Sequence, residues 1–376
     1  MAPDGCRNPG VGLRAQPSPT KTEPAGGPAR SPKFRAWLMS TNVTRMKGHT
    51  THPPELSSST MEKVVLLALV TWSSIMAYQI AASGIRHDYR AYVDQWSHIL
   101  AGGDPWALSG ISFNAYGPLH TFLAYSAIPS FFVPKFIFGL AFIWLNLVLV
   151  MRLLKKAPRP GALMWVVYLF LIPMNFLVIG AVFLFGNNDA LVAGLIGFGV
   201  LARFRGLMIT AGILFGLAVL LKFYPLLLLP FLALHNRRLN MRVLVSAMSV
   251  ILIGFAITTL RWGTSFLNAI SGGIERDATI LSILNYLKEV GISEGPYEAL
   301  LGINTITVVA MAGALFLAVW LFRIHWLAGA SIAMLLLVTV YKVGHQQFLV
   351  TWLVLLACLL VMGPRSTRPV VFIAMP

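Results

Sequence analysis

Three long apolar runs constrain most strongly what this chain can fold into. Residues 64–83, 136–151 and 163–185 contain no acidic or basic side chain. Runs of roughly 17–25 such residues cross a bilayer as helices, because hydrocarbon offers the backbone no other hydrogen-bond partners. Only 11% of the 376 residues are charged, whereas a soluble domain carries about 25%. The sequence therefore predicts an all-α, polytopic transmembrane helical bundle.

The hydrophobic pattern beyond residue 60 predicts about ten membrane crossings. They are 64–84, 136–154, 161–184, 188–203, 207–221, 224–235, 243–260, 303–322, 327–341 and 347–362. Residues 116–133 are apolar but interrupted by proline, which predicts an interfacial or re-entrant segment. Residues 207–235 could form two short spans or one helix kinked at Pro225.

The distribution of charge predicts how the chain is oriented in the membrane. The formal net charge is +16, and basic residues cluster between predicted spans, as at 152–159 and 237–242. This is the pattern of cytoplasmic loops, so the basicity indicates topology and not nucleic-acid binding. Of the ten acidic residues beyond residue 60, all except Glu62 then fall outside. We expect a multi-pass cell-membrane protein with cytoplasmic termini and polar function in the outer loops 85–118 and 261–302.

Residues 1–60 differ in composition from the rest of the chain. They are rich in Pro, Gly, Ser and Thr, and they hold eight Lys and Arg residues against three acidic ones. Such a segment cannot bury a core, so we predict a disordered cytoplasmic tail before an integral-membrane domain at 61–376. The two cysteines, Cys6 and Cys358, lack the spacing of metal ligands. The sequence predicts neither a metal site nor a cofactor.

The first predicted outer loop concentrates polar residues in an otherwise apolar protein. Residues 87–120 include three aspartates, Asp88, Asp94 and Asp104, among many aromatic residues. Apolar side chains recur there at three- and four-residue spacing until a Gly-Gly pair. This predicts a short amphipathic helix that lies on the membrane plane with its aromatic side chains in the interface. Asp88 would occupy the N-cap of this helix, and Asp104 before proline fits the N-cap of another.

The order of motifs resembles that of a known enzyme family. An Asp after the first span precedes a tyrosine-rich helix, Gly-Gly-Asp-Pro-Trp at 102–106 and Tyr-Gly-Pro-Leu at 116–119. Gly-Asn-Asn-Asp at 186–189, Leu-Lys-Phe-Tyr-Pro-Leu at 221–226 and Lys-Val-Gly-His-Gln-Gln-Phe at 342–348 follow. The set resembles the polyprenyl-phosphate-dependent mannosyltransferases of glycosyltransferase family 87, which are membrane enzymes of the GT-C class. The family's usual Tyr-Pro-Pro-Leu is Tyr-Gly-Pro-Leu here.

The resemblance implies a GT-C-type fold over roughly residues 62–362. It implies transfer of a sugar, with mannose expected, from a polyprenyl-phosphate donor to a glycolipid or glycan acceptor, with inversion of the anomeric centre. Asp88 would be the general base, a role that a carboxylate in an interfacial loop can serve. Otherwise Asp88 only caps its helix. The sequence has no glycine loop that cradles phosphate, which favours a lipid-linked donor over a nucleotide sugar.

Four cationic residues are candidates for binding the phosphate of the donor. Lys222 and Lys342 interrupt apolar segments near the predicted outer leaflet, where ionisable groups are costly and often functional. Arg276 and His345 fall on the same predicted side. Each lysine could instead extend to the lipid headgroups.

Five polar residues are candidates for binding the sugar or the acceptor. They are Asp94, Tyr116, Asn188, Gln346 and Gln347. Each has a structural alternative: the aspartate could be solvated, the asparagine could cap a helix, and the glutamines could bridge helices by hydrogen bonds.

Two other functions remain open at the level of sequence. A transporter or lipid flippase would also need broken helices and charges within spans, although the halves of this chain show no inverted repeat. A non-catalytic scaffold with the GT-C shape is the third possibility. All three functions involve membrane lipid, and none involves nucleic acid.

Overall fold

The computed structural model describes residues 58–82, 84–85, 87–107, 114–144, 186–279 and 281–363. Helices dominate these ranges. The predicted tail, apart from its last three residues, lies outside the described residues. So do the predicted span 161–184 and the second half of the span 136–154.

The helices of the described ranges are numbered in chain order. They are α1 (Ser58–Ala82), α2 (His87–Leu100), α3 (Pro118–Phe122), α4 (Phe132–Trp144), α5 (Asp189–Phe204), α6 (Met208–Leu221), α7 (Pro225–Ala233), α8 (Met241–Trp262), α9 (Leu267–Glu275), α10 (Ile283–Glu289), α11 (Glu294–Leu321), α12 (Trp326–Val340) and α13 (Leu349–Met362). A 3₁₀ turn at Leu123–Ala127 follows α3, and another at Gln346–Phe348 precedes α13. An antiparallel hairpin, β1 (Leu234–His235) and β2 (Arg238–Leu239), joins α7 to α8.

Among the described residues, two helices are long and apolar enough to cross a membrane by length and composition. These are α8, with 22 residues, and α11, with 28. Helix α11 begins at Glu294, well before the predicted start at 303, and a carboxylate in the first turn suits the helix dipole. The second predicted outer loop is therefore shorter than expected. The count of about ten crossings remains a prediction.

The stretch 207–235 forms two helices, which settles the alternative that the sequence left open. Helix α6 ends at Leu221, and Lys222 follows in an extended conformation, with φ −143° and ψ 145°. Helix α7 then begins with Pro225 in its first turn, where proline costs no hydrogen bond. Its nine residues span only about 14 Å, less than a hydrocarbon core of about 30 Å. The break leaves Lys222 between two helix ends.

Helix α2 buries its aromatic face against protein. Tyr89, Tyr92 and Trp96 are 1%, 0% and 0% exposed, and their rings contact Phe138 of α4. The prediction that these aromatics lie in the membrane interface was wrong, because α4 and the turn after α3 cover the apolar face. The helix begins at His87, so Asp88 lies inside its first turn and not at the N-cap.

Close contact between α6 and α8 fixes the position of the chain that enters the break at Lys222. Gly212 and Gly216 lie one turn apart on α6 and face α8. A Cβ at Gly212 would come within 1.9 Å of Ser246 Oγ, and one at Gly216 within 2.7 Å of the Ala247 carbonyl oxygen. Small residues at this spacing let two helices approach closely.

A buried arginine holds the far end of α7. The Arg203 guanidinium donates hydrogen bonds to the carbonyl oxygens of Leu232 and Leu234. It also lies 3.8 Å from the ring centre of Trp326, a favourable cation–π geometry. Helix α7 is thus fixed at both ends, by the break after α6 and by this arginine.

Candidate active site

A buried ion pair joins the start of α5 to the break after α6. Lys222 Nζ donates to Asp189 Oδ2 at 2.7 Å, and the two side chains are 5% and 0% exposed. The ammonium also lies 5.2 Å from the ring centre of Tyr116 and 5.5 Å from that of Phe348. Burying an ion pair is tolerated only when the partners compensate each other's lost hydration. Four distant segments of the chain therefore meet around Lys222.

A buried histidine links helix α2 to the same region. His120 Nε2 lies 3.2 Å from Gln95 Oε1, and its Nδ1 lies 3.2 Å from Asn188 Nδ2. Burial, together with the positive charge of Lys222, lowers the pKa of His120 to about 3. The imidazole is therefore neutral at physiological pH. It donates from Nε2 to the glutamine oxygen and accepts at Nδ1 from the asparagine amide.

A second buried chain of hydrogen bonds connects α2 with the turn before α13. The Tyr92 hydroxyl donates to Asn187 Oδ1 at 3.0 Å, and Asn187 Nδ2 donates to Gln347 Oε1 at 2.8 Å. Asn188 precedes α5 but makes no side-chain capping bond there. The structural alternative that Asn188 caps a helix was wrong, because its side chain, like those of Asn187 and Asp189, bonds across the site instead.

A cavity of about 1710 Å³ opens beside these networks. Its polar end is lined by Arg90, Asp94, Gln95, Tyr116, Lys222 and Arg276, with His345 and Gln347 nearby in the lining. The rest of its wall is apolar and comes from α7, α8 and α11, for example from Phe231, Phe255 and Phe316. The cavity is therefore amphipathic, with charged and amide groups gathered at one end.

The loop after α9 brings Arg276 to the cavity. Thr279 N donates to the Lys342 carbonyl oxygen at 2.8 Å, and Leu281 N donates to that of Gly344 at 3.3 Å. Asp277 accepts from Lys288 Nζ at 2.8 Å and from the Tyr297 hydroxyl at 2.5 Å. These hydrogen bonds, chiefly the one from Lys288, hold the pKa of Asp277 at about 2. The loop is thus fixed at both of its ends.

The structure brings together only some of the predicted site residues. The described lining of the cavity includes Asp94, Tyr116, Lys222, Arg276, His345 and Gln347. It does not include Lys342, Asn188 or Gln346. Lys342 is 1% exposed, and its backbone N–H donates to Asn304 Oδ1 at 2.7 Å. Asn188 contacts His120, and Gln346 is exposed.

The predicted base Asp88 lies in the first turn of α2, and only its backbone position is described. Its backbone position precedes Ala91 by three residues and Gln95 by seven, which places the three on one helical face. Ala91 and Gln95 both line the cavity. Asp88 therefore occupies a register position next to Gln95, at the edge of the cavity side of α2.

Several residues of the site were not predicted from sequence. His120, Gln95, Asn187 and Tyr92 are buried and hydrogen-bonded there, yet their spacing in the sequence follows no metal-binding or nucleophilic pattern. In the sequence, only their polar character among apolar neighbours could have indicated that they belong to the site.

The sequence of the chain matches a known enzyme family. The sequence model that represents glycosyltransferase family 87 matches residues 114–361, which is more than half of the chain. The chain belongs to glycosyltransferase family 87. It is therefore a glycosyltransferase, and the resemblance inferred from its motifs is confirmed. A comparison with curated proteins gave no match.

The match includes most of the site but not helix α2. Tyr116, His120, Asp189, Lys222 and Gln347 lie within the matched residues. Asp88 and Asp94 precede residue 114, where the match begins. Within this family 87 glycosyltransferase, the ion pair and most of the cavity lining thus belong to the matched region, whereas the predicted base and the part of the lining that comes from α2 do not.

One departure from the family pattern has a structural explanation. Gly117 has φ −78°, which would suit proline. However, its N–H donates to the Leu221 carbonyl oxygen at 3.2 Å, and a Cβ there would lie 2.4 Å from the Leu220 carbonyl oxygen. Glycine lets the Tyr116 turn contact the end of α6 directly.

Substituting this glycine should destabilise the protein. We expect Gly117→Ala to cost about 1–3 kcal/mol from the clash alone, and Gly117→Pro to cost roughly 1–3 kcal/mol more because the buried Leu221 carbonyl loses its donor. Thermal unfolding of detergent-purified variants measures both effects. Gly302→Ala on α11 is the control, because its Cβ would meet no heavy atom of the described residues within 4 Å. Equal melting temperatures for Gly117→Pro and wild type would contradict this account.

Proposed function

We propose that this glycosyltransferase transfers mannose from a polyprenyl-phosphate donor to a hydroxyl of a glycolipid or glycan at the outer face of the membrane. The observation that carries the proposal is the amphipathic cavity of about 1710 Å³. A polyprenyl-phosphate sugar has a long apolar chain, an anionic phosphate and a polar sugar in that order. The cavity offers an apolar section to the chain and, at its other end, cations and polar side chains to the phosphate and the sugar.

The cationic lining is suited to the phosphate of the donor. Lys222 and Arg276 line the polar end, together with Arg90 and His345. Charge-assisted hydrogen bonds from such groups are about twice as strong as neutral ones. In this proposal Lys222 and Arg276 bind the phosphate and stabilise the negative charge that it gains as it leaves. Gln95, Gln347 and Tyr116 contact the sugar.

The reaction needs a base close to the acceptor hydroxyl. The base takes the hydroxyl proton, and the acceptor oxygen forms a bond to the anomeric carbon on the face opposite the phosphate. The bond between the anomeric carbon and the phosphate oxygen breaks at the same time. The leaving polyprenyl phosphate keeps the bonding electron pair, and the configuration inverts. We assign the base to Asp88, whose register position lies at the edge of the cavity side of α2. Asp94, which lines the cavity, is the alternative.

The orientation in the membrane is part of the proposal. Helices α8 and α11 are apolar enough to cross a bilayer, and both line the apolar section of the cavity. Its far end lies by the β1–β2 hairpin, where Trp320 Nε1 donates to the Arg237 carbonyl oxygen at 2.9 Å. Basic residues at that end favour the cytoplasmic side for it. The polar end would then face outward, in a multi-pass protein with both termini in the cytoplasm.

Reconstituted protein should transfer labelled mannose from polyprenyl-phosphate mannose to a membrane glycolipid extract, and not from a nucleotide-linked mannose. The reason is that the cavity offers an apolar section to a lipid chain and no glycine loop to a nucleotide phosphate. Thin-layer chromatography of the labelled product measures the transfer. Transfer only from the nucleotide donor would contradict the lipid-linked donor, and transfer only of another sugar would contradict mannose. Lipid movement in sealed vesicles without any transfer would favour a transporter.

A further inference from the structure

The apolar section of the cavity has a defined length along α11. Six residues of this helix line the cavity at helical spacing: Thr305, Val308, Val309, Ala312, Gly313 and Phe316. From Thr305 to Phe316 the axial distance is about 17 Å at about 1.5 Å per residue. A hydrocarbon core is about 30 Å thick. The apolar section therefore covers only part of the bilayer.

The two ends of this section are identifiable from contacts. At one end, Asn304 precedes Thr305 and donates to the Val340 carbonyl oxygen at 2.8 Å, next to the turn that carries His345. Near the other end, which Leu239 of β2 also lines, the ring of Phe316 lies 5.6 Å from that of Phe231 in an edge-to-face arrangement. A polyprenyl chain whose phosphate lies at the cations must pass the middle of α11 before it reaches this aromatic pair.

Gly313 lies on that path. It belongs to the lining of the cavity and is exposed, and a Cβ added there would meet no heavy atom of the described residues within 4 Å. It follows Thr305 by eight residues, which is about 12 Å along the helix. A larger side chain at this position would therefore occupy open space at the wall of the cavity without displacing the helix.

We propose that Gly313 sets the length of polyprenyl chain that the cavity accommodates. The isoprene units nearest the phosphate lie between Lys222 and the Phe231–Phe316 pair, and the absence of a side chain at Gly313 lets the chain pass between them. Longer chains continue into the bilayer and add little to binding. This inference rests on the proposed lipid-linked donor and extends it to a residue that determines donor specificity.

The test compares donors that differ only in chain length. The probes are the geranyl, farnesyl and decaprenyl phosphates of mannose, assayed with wild type, Gly313→Leu and Gly302→Leu. For wild type, KM should fall from geranyl to farnesyl and then level off. In Gly313→Leu, the ratio of the geranyl KM to the decaprenyl KM should fall about tenfold, which corresponds to the loss of about two buried methylene groups.

Gly302→Leu is the matched control. It places the same side chain on the same helix, at a glycine that is equally open in the described residues and does not belong to the described lining of the cavity. It should keep the wild-type ratio, although both substitutions raise helix propensity alike. A wild-type ratio in Gly313→Leu, or an equal shift in Gly302→Leu, would overturn the inference.

A binding measurement separates this inference from the proposed function. Geranyl and decaprenyl phosphate, without sugar, are titrated into each variant and followed by thermal shift. If Gly313→Leu weakens the binding of decaprenyl phosphate more than that of geranyl phosphate, the inference is supported even when no mannose is transferred. In that case only the proposed reaction fails. Transfer of mannose with unchanged chain-length preference leaves the function standing and overturns the inference.

Discussion

Replacing Asp88 with Asn is expected to lower kcat for sugar transfer by about 10²–10⁴-fold, the usual contribution of a general base. Asparagine preserves the shape of the side chain but cannot accept the proton of the acceptor hydroxyl. The position of Asp88 supports this role, because it shares a helical face with Ala91 and Gln95 of the cavity lining. The loss should appear in kcat with little change in the KM for the donor, because the carboxylate acts on the acceptor.

Asp94→Asn on the same helix is the comparison that makes this test decisive. Asp94 lines the cavity and is exposed, so its loss should change the KM for substrate more than kcat. Both variants are assayed after their thermal unfolding is shown to match that of wild type. Full activity in Asp88→Asn together with a large loss in Asp94→Asn would move the base to Asp94. Full activity in both would mean that another group removes the proton.

The second large effect is expected at the buried ion pair. Asp189→Asn leaves the Lys222 ammonium in a buried site without its carboxylate partner, which typically costs about 3–5 kcal/mol. The double variant Asp189→Leu, Lys222→Met removes both charges and should recover most of this stability. It should nevertheless remain inactive, because the proposed phosphate-binding cation is gone. Thermal unfolding and transfer assays on the same preparations separate the two effects.

The exposed pair Asp277–Lys288 supplies a matched control for this experiment. Its nitrogen–oxygen distance is 2.8 Å, against 2.7 Å for Asp189–Lys222, but its side chains are 59% and 52% exposed. Exposed ion pairs contribute little to stability because water screens the two charges, so Lys288→Gln should barely lower the melting temperature. An equally small effect of Asp189→Asn would contradict the importance of burial, and activity in the double variant would contradict the role of Lys222.

The candidate site was only partly predictable from sequence. Lys222 was predicted because a cation inside an apolar segment is costly and therefore conspicuous. Its partner Asp189 was not among the predicted site residues, since an Asn-Asn-Asp segment before a helix is the usual capping pattern. His120 lay outside the recognised motifs, and Asn187 lay in the Gly-Asn-Asn-Asp motif at 186–189 but was given no role of its own. Their importance comes from contacts with Gln95, Asn188, Tyr92 and Gln347, up to 160 residues apart in the chain.

The amino-acid sequence by itself determined the helical class, the membrane-like composition and the family, because apolar run length, charge placement and motif order are properties of the chain alone. It also predicted an irregularity at Pro225, since proline cannot continue a helix without cost, but it left open whether 207–235 forms one kinked helix or two. Only the tertiary structure decided that α2 buries its aromatic face in protein and that the described lining of the cavity includes Lys222 but not Lys342. The physical reason is that burial and pairing depend on which distant surfaces meet, and periodicity within one segment does not specify its partner.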